Sequence, residues 1–202
     1  MATQYSVASR NNRMAGLIAD IGINAQIIQY GGVRPASVAA ALTGAALVQF
    51  AGNATQFGTA TAGVMTASAV ANANALAGAG AGTVATHYRI NTSAGAAVLQ
   101  GTIFQSTPLT TGLATAANSN VLNFAATTGV VVGMTATGTG YPLGAVVIAV
   151  TATTVTLNTV SAAGVAGATV ITFGGDMNLT NTKIASGQTC QFNNFSTTAF
   201  GA

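Results

Sequence analysis

Few side chains in this sequence can move a proton or attack a carbon. The carboxylates are Asp20 and Asp176, the only imidazole is His87 and the only thiol is Cys190. General acid–base catalysis needs titratable groups held in position. The two carboxylates are far apart in the chain, so a paired-carboxylate site requires the fold to bring them together. The simpler reading is one aspartate on a helix surface and one at a turn or strand edge. His87 lies in "TVATHYRINT", out of phase with Val84, Tyr88 and Ile90, which places it outward with Arg89. A Ser–His–Asp triad has no G-x-S-x-G elbow to support it. Cys190 alternates with Phe192 in "TCQFNN" and reads as a small core hydrophobe. These residues predict no catalytic site.

Metal and phosphate chemistry is equally short of material. One Cys and one His cannot make a zinc centre, which takes three or four ligands. "GGDMNLTNT" offers Asp176, Asn178 and Asn181 as oxygen donors, although a plain turn and strand explains it more simply. "AGAGAG" and "GTGYPLG" are rich in glycine but lack the following Lys-Ser/Thr and the strand-to-helix context of a phosphate loop. No metal or cofactor is expected. Four Asn-x-Ser/Thr sites, at Asn53, Asn91, Asn178 and Asn194, are expected by chance in a chain this rich in Asn and Thr. Arg10 and Arg13 sit one helical turn apart and are candidates to grip an acidic partner, against the plainer reading of a solvated helix face.

The elements that must position these residues are written in an unusual composition. Only seven of 202 residues are charged, about 3%, against roughly 25% in ordinary soluble domains. The net charge of +3 is spread over scattered basic residues, whereas a nucleic-acid surface needs them clustered; no direct nucleic-acid contact is expected. A lone cysteine rules out an internal disulfide framework. The first residues, "MATQYSVASRNNRMAG", lack the apolar core of a secretory signal.

Two uncharged stretches, Pro35–Gly52 and Val130–Asn158, invite a membrane reading. The second is dense in β-branched residues and broken by Gly133, Gly138, Gly140, Pro142 and Gly144, which is turn chemistry rather than helix. No membrane span is expected.

Apolar residues at Val7, Met14, Leu17, Ile18 and Ile21 predict a helix over about 7–21, stopped by Gly22. The texture then turns to β. "NAQIIQYGGVRP" predicts a strand into a Gly-Gly turn, "GAALVQF" the next, and "GVMTASAV" a weaker one. "ANANALAGAGAG" reads as a loop. "TVATHYRINT" and "AAVLQGTIF" predict a hairpin about "SAG". "DMNLTNT" and "KIASGQTCQFNNFST" read as two more strands, with Ser186-Gly187 at a turn.

From Ser106 to Gly174 no residue is charged. This part predicts its own strand series: "NVLNFA", "GVVVGMTATG", "GAVVIAVTATTVTLNTV" and "ATVITFGG". The third turns near Ala152–Thr153, with Val146, Ile148 and Val150 on one arm and Val155 and Leu157 on the other. Alternating Val and Thr describes a half-buried face with a hydroxylated exterior. Strands without charge lack the usual protection against edge-to-edge pairing. An uncharged surface also loses little on desolvation against a partner. Composition therefore favours a subunit of a larger assembly.

Several stretches resemble small structural proteins of tailed bacteriophages: "SVASRNNRMAGLIADIGINAQIIQYGGVRPAS", "FGTATAGVMTAS", "GTVATHYRINTSAGAAVLQGTI" and "DMNLTNTKIASGQTCQFNNFSTT". The resemblance is one of order and texture that runs over about two thirds of the chain, and these stretches make up 89 of its 202 residues. "VVVGMTATGTGYPLGAVVIAVTATTVTLN" resembles a β module added to phage virion proteins. The resemblance implies a virion component with no catalytic residues. Its place would be the head exterior, as a decoration (cement) protein bound to the major capsid protein and to copies of itself, with a trimer as the expected oligomer. A tail, neck or fibre position is the alternative, with Tyr141 of the insert as a candidate glycan contact. Candidate assembly contacts are Arg10, Arg13, Arg34 and Tyr141.

The expected fold is mainly β. A sandwich- or barrel-like main domain, 1–105 plus 175–202, carries one N-terminal helix, and a small β domain is inserted at 106–174. An enzyme and a secreted adhesin are the remaining rivals, disfavoured by the shortage of carboxylates and by the lack of a signal segment.

Overall fold

The computed structural model describes residues 5–141, 145–161, 163–179, 181–192 and 195–198. Pro142 and Gly144 of the turn-rich stretch, and the Asn194 glycosylation site, lie outside the described residues. The protein is mainly β with a single N-terminal α-helix. It divides into two compact units, one formed by residues 1–104 and 176–201 and the other by 105–175.

Helix α1 spans Val7–Ile21, the predicted range. Ser6 caps its start by accepting from the Ser9 N–H at 3.2 Å, which satisfies one of the free donors of the first turn. Gly22 ends it at φ 72°, donating to the Ile18 carbonyl. Met14 and Ile21 are buried and Leu17 and Ile18 pack beside them, while Val7, expected on the same stripe, is exposed.

The strands follow in chain order. They are β1 (Gln26–Tyr30), β2 (Ala46–Ala51), β3 (Val64–Ala67), β4 (Val70–Asn74), β5 (Thr83–Val84), β6 (His87–Asn91) and β7 (Ala97–Gln105). The second unit holds β8 (Thr107–Thr110), β9 (Ser119–Asn123), β10 (Thr135–Thr137), β11 (Ala145–Val150), β12 (Thr154–Ser161) and β13 (Val170–Gly174). The chain then returns to the first unit with β14 (Met177–Leu179), β15 (Lys183–Ile184), β16 (Thr189–Phe192) and β17 (Phe195–Thr198).

The first unit is built on a five-stranded sheet in the order β14-β7-β6-β1-β2. The β6/β7 hairpin forms as predicted, with His87 opposite Thr102 and Ile90 opposite Leu99. One face of the sheet carries Ile27, Phe50, Tyr88 and Ile90. It packs against the buried Met65, Phe192 and Phe195 of the small strand pairs β3/β17 and β4/β16. Phe50 meets Phe192 at 5.6 Å, and Tyr88 meets Phe195 edge-on at 5.1 Å between ring centroids, a geometry that suits the ring quadrupoles.

The first unit departs from three expectations. "TVATHYRINT" is two strands, and every residue of β6 is buried, so His87 and Arg89 point not to solvent but under a covering segment. "ANANALAGAGAG" is not all loop, since its first part continues β4 and Ala77–Ala79 forms a 3-10 turn. The Ser186-Gly187 turn is present, but it joins β15 and β16, which pair with β5 and β4 rather than with each other.

The second unit is a six-stranded antiparallel sheet in the order β8-β13-β10-β11-β12-β9. Its inner face carries Leu122, Ala136, Val147, Val155, Ile171 and Phe173, with Phe124 edge-on to Phe173 at 5.6 Å. The sheet curls until its two edge strands meet. Thr111, just past β8, bridges Phe124, just past β9, and the Gly112 N–H donates to the Asn123 carbonyl at 2.9 Å. Closure of this kind hides the edges that an uncharged sheet would otherwise expose. Val155 and Leu157 are buried as expected, but on β11 it is Val147 that is buried, and Ile148 is 51% exposed. A register shift between Val147 and Ala149 reverses the predicted phase. "GVVVGMTATG" contributes only the three residues of β10.

Candidate functional site

The polar chemistry of the first unit gathers on the second face of its five-stranded sheet. Side chains of cross-strand partners share a face. The pairs Tyr30–His87, Ile28–Arg89, His87–Thr102 and Arg89–Gln100 therefore set Tyr30, His87, Arg89, Gln100 and Thr102 side by side. The Tyr30 and His87 rings stack at 5.4 Å with 17° between their planes. His87 has no solvent exposure and Arg89 is 6% exposed.

The segment 31–45, "GGVRPASVAAALTGA", covers this face. Its ends are pinched together. The Gly31 N–H donates to the Ala45 carbonyl at 3.1 Å, and a side chain at Gly44 would drive its Cβ into the Gly31 carbonyl oxygen. Between these ends the segment is held by its carbonyls. Arg89 Nη2 donates to Ala40 O at 2.6 Å and to Ser37 O at 3.4 Å. Gln100 Nε2 donates to Pro35 O at 2.8 Å, and its Oε1 accepts from Arg89 Nε at 3.3 Å. Thr86 Oγ1 donates to Gly32 O at 2.5 Å. The segment is compact and closed at its ends, like an Ω-loop. A buried guanidinium is tolerated here because these acceptors replace its water.

Thr86 Oγ1 also lies 3.0 Å from His87 Nδ1. The hydroxyl has one proton and two carbonyl acceptors beside it, Gly32 O at 2.5 Å and Tyr30 O at 3.3 Å, so the tautomer that completes the network has Nδ1–H donating to Thr86. That leaves Nε2 as the bare nitrogen of a neutral ring, buried and without a partner among the described residues. Burial first, and then the charges of Arg89 and Arg34, hold the His87 ring below its ordinary value. Asn91 Oδ1, further along the same face, is also buried without a partner among the described residues.

The other sequence-selected residues lie elsewhere. Asp20 is exposed on the last turn of α1. Asp176 Oδ2 accepts from the Thr102 N–H at 2.9 Å and from Thr102 Oγ1 at 3.2 Å. Arg10 lies against Gly63, whose N–H donates to Asn11 Oδ1 at 2.7 Å, so Arg10 and Asn11 seat the helix on the β3 turn. Arg13 covers the Tyr5 ring at 3.6 Å, a cation–π contact. Arg34 is exposed on the covering segment beside Val33, which is 80% exposed. Tyr141 is half-buried, and its hydroxyl donates to the Ser119 carbonyl at 3.4 Å. Cys190 is half-buried at the margin of the core, and burial raises its thiol pKa. Of the proposed oxygen ligands, Asn181 Oδ1 accepts from the Lys183 N–H. No group of three potential metal ligands from His, Cys, Asp and Glu occurs among the described residues, and no described helix is long and apolar enough to cross a membrane.

Reasoning from sequence did not select Tyr30, Thr86 or Gln100. The signal for them was "YGGVRP": a Gly-Gly pair ahead of a long apolar segment with no charge after Arg34 has to be anchored by something else. No known protein family, curated protein or solved structure matches this chain.

Proposed function

We propose that this protein is a structural component of a tailed-bacteriophage virion, decorating and stabilising the capsid shell through non-covalent contacts to the major capsid protein. The observation that carries the reading is the surface of the second unit. Its outward positions include Thr110, Thr135, Thr137, Val146, Thr156 and Val170, with Leu113 and Val132 exposed in its loops. No residue of Ser106–Gly174 is charged. A neutral, hydroxylated surface with scattered aliphatics can be covered by a partner without stripping water from ions. The resemblance of the chain to phage structural proteins supplies the kind of partner. The polar cluster of the first unit supports the same reading, because its hydrogen bonds go to the protein's own backbone.

A tail or fibre protein that binds glycans is the second reading. It gains less support, since Tyr141 is half-buried and committed to Ser119.

Quantitative mass spectrometry of purified particles tests the proposal. A ratio to the major shell protein near one, or near one third, is expected for a lattice-wide decoration. A handful of copies per particle would move the protein to the neck, tail or fibre, and absence from particles would refute the virion reading.

A further inference from the structure

The covering segment is joined to a titratable group by an unbroken hydrogen-bond chain. His87 Nδ1–H reaches Thr86 Oγ1 at 3.0 Å, and Thr86 Oγ1–H reaches Gly32 O at 2.5 Å. Gly32 stands at the pinched neck of the segment, where a Cβ would lie 3.3 Å from Gly44 Cα. The far nitrogen of the same ring, Nε2, is buried and faces no acceptor among the described residues. A proton added there makes a buried N–H without a partner and a buried cation, both costly.

The groups around the ring do not relieve that charge. Tyr30 from β1 stacks on it and is neutral, its hydroxyl pKa raised by burial. Arg89 on its own strand and Arg34 on the covering segment are cations that oppose its charging. From β7 the ring faces Thr102, which bonds the carboxylate of Asp176. Its Oδ2 is taken up by the Thr102 N–H and hydroxyl rather than by the ring.

We propose that residues 32–44 form an acid-released strap: a charged His87 cannot stay buried with no partner for its Nε2–H, so the strap lifts from the sheet to let water reach the ring, giving up the contacts to Thr86, Arg89 and Gln100 and uncovering His87 and Arg89. The strap suits this role because it is held by side chains rather than by a strand ladder. Its contacts to Arg89 and Gln100 come from one face of the sheet, and that to Thr86 from the residue just before β6. The core lies on the opposite face, so opening need not disturb it. The inference does not rest on the virion reading.

The test is made on the full chain. His87 is the only histidine, so its imidazole signal can be followed by NMR without assignment ambiguity. Hydrogen exchange by mass spectrometry then reads the strap at pH 7.5, 6.5, 5.5 and 5.0, corrected for the intrinsic pH dependence of exchange. The expected result is a His87 midpoint below about 6.5. Corrected exchange in peptides covering 33–44 should rise at least tenfold over the same interval, while peptides of β1 and β7 stay protected. His87→Phe, which keeps a ring on Tyr30 but cannot charge, should leave the strap protected at pH 5.0. Strap protection that is independent of pH in the wild-type protein would overturn the proposal. So would a His87 titration completed with the strap still closed, or release that persists unchanged in His87→Phe.

Discussion

Gly101→Ala is the sharpest probe of how the five-stranded sheet is packed. Gly101 lies opposite Tyr88 on β7. A Cβ there would sit 2.5 Å from Tyr88 Oη, 2.7 Å from Tyr88 Cε1 and 2.6 Å from Asp176 Oδ2. All three separations are shorter than van der Waals contact, and two involve a ring with no room to retreat. Tyr88 is 1% exposed and edge-on to Phe195, so its displacement is passed on to the core. Asp176 is tied to Thr102 by two hydrogen bonds that a shift would stretch. The backbone at Gly101 is not in the left-handed region, so the penalty is steric alone. Overpacking of this kind costs about 1–3 kcal/mol, and the double encounter places the expected loss at about 2–3 kcal/mol. For a chain of this size that corresponds to a fall in Tm of roughly 5–10 °C. Differential scanning calorimetry and urea titration, with near-ultraviolet circular dichroism to report Tyr88, measure it. A variant within ~0.5 kcal/mol of wild type would refute the placement of Tyr88 and Asp176 over this position.

Gly16→Ala should act in the opposite sense: the residue is inside α1 with nothing within 4 Å of its would-be Cβ, so a gain of about 0.8–1 kcal/mol is expected in thermal melts. Phe173→Ala removes a fully buried ring that meets Phe124 at 5.6 Å, and urea titration followed through the second unit should show a loss of about 3–5 kcal/mol. The depressed His87 pKa makes the folded state bind its proton less readily than the unfolded chain. Its contribution to stability is complete above the unfolded value of about 6.5 and is lost as pH falls toward the folded value. Urea midpoints should therefore drop between pH 7.5 and 5.5 in the wild type and hold more nearly level in His87→Phe.

Local rules carried the helix and several strands. Ser6, the apolar spacing and Gly22 define α1 without tertiary help. The β6/β7 hairpin follows from its alternation and the glycine at the turn. Alternation misleads where both faces of a sheet are covered. His87 and Arg89 alternate with Tyr88 and Ile90 as an outward face would, yet the face they occupy is roofed by a segment distant in sequence. Nothing local announces that roof. Pairings such as β5/β15 and β4/β16 are also long-range, and a turn at Ser186-Gly187 reads as a hairpin whether or not its arms pair. The bulge in β11 reversed a face because a shift of one residue exchanges every side chain.

The absence of charge in the second unit has two physical consequences, and the fold separates them. Open edges of an uncharged sheet would pair with any neighbouring strand, but the bridge from Thr111 to Phe124 draws the edges of β8 and β9 together. The faces are a different matter. Ile148 at 51% and Val170 at 54% exposure remain outside, among threonines that hydrogen-bond water or a partner with equal ease. Association through such a surface is limited by shape rather than by charge, and it should change little between low and high salt. If binding to particles weakens steeply as salt is raised, the attachment runs through the arginines of the first unit instead. Exposed Arg34 beside Val33 is then the first residue to substitute.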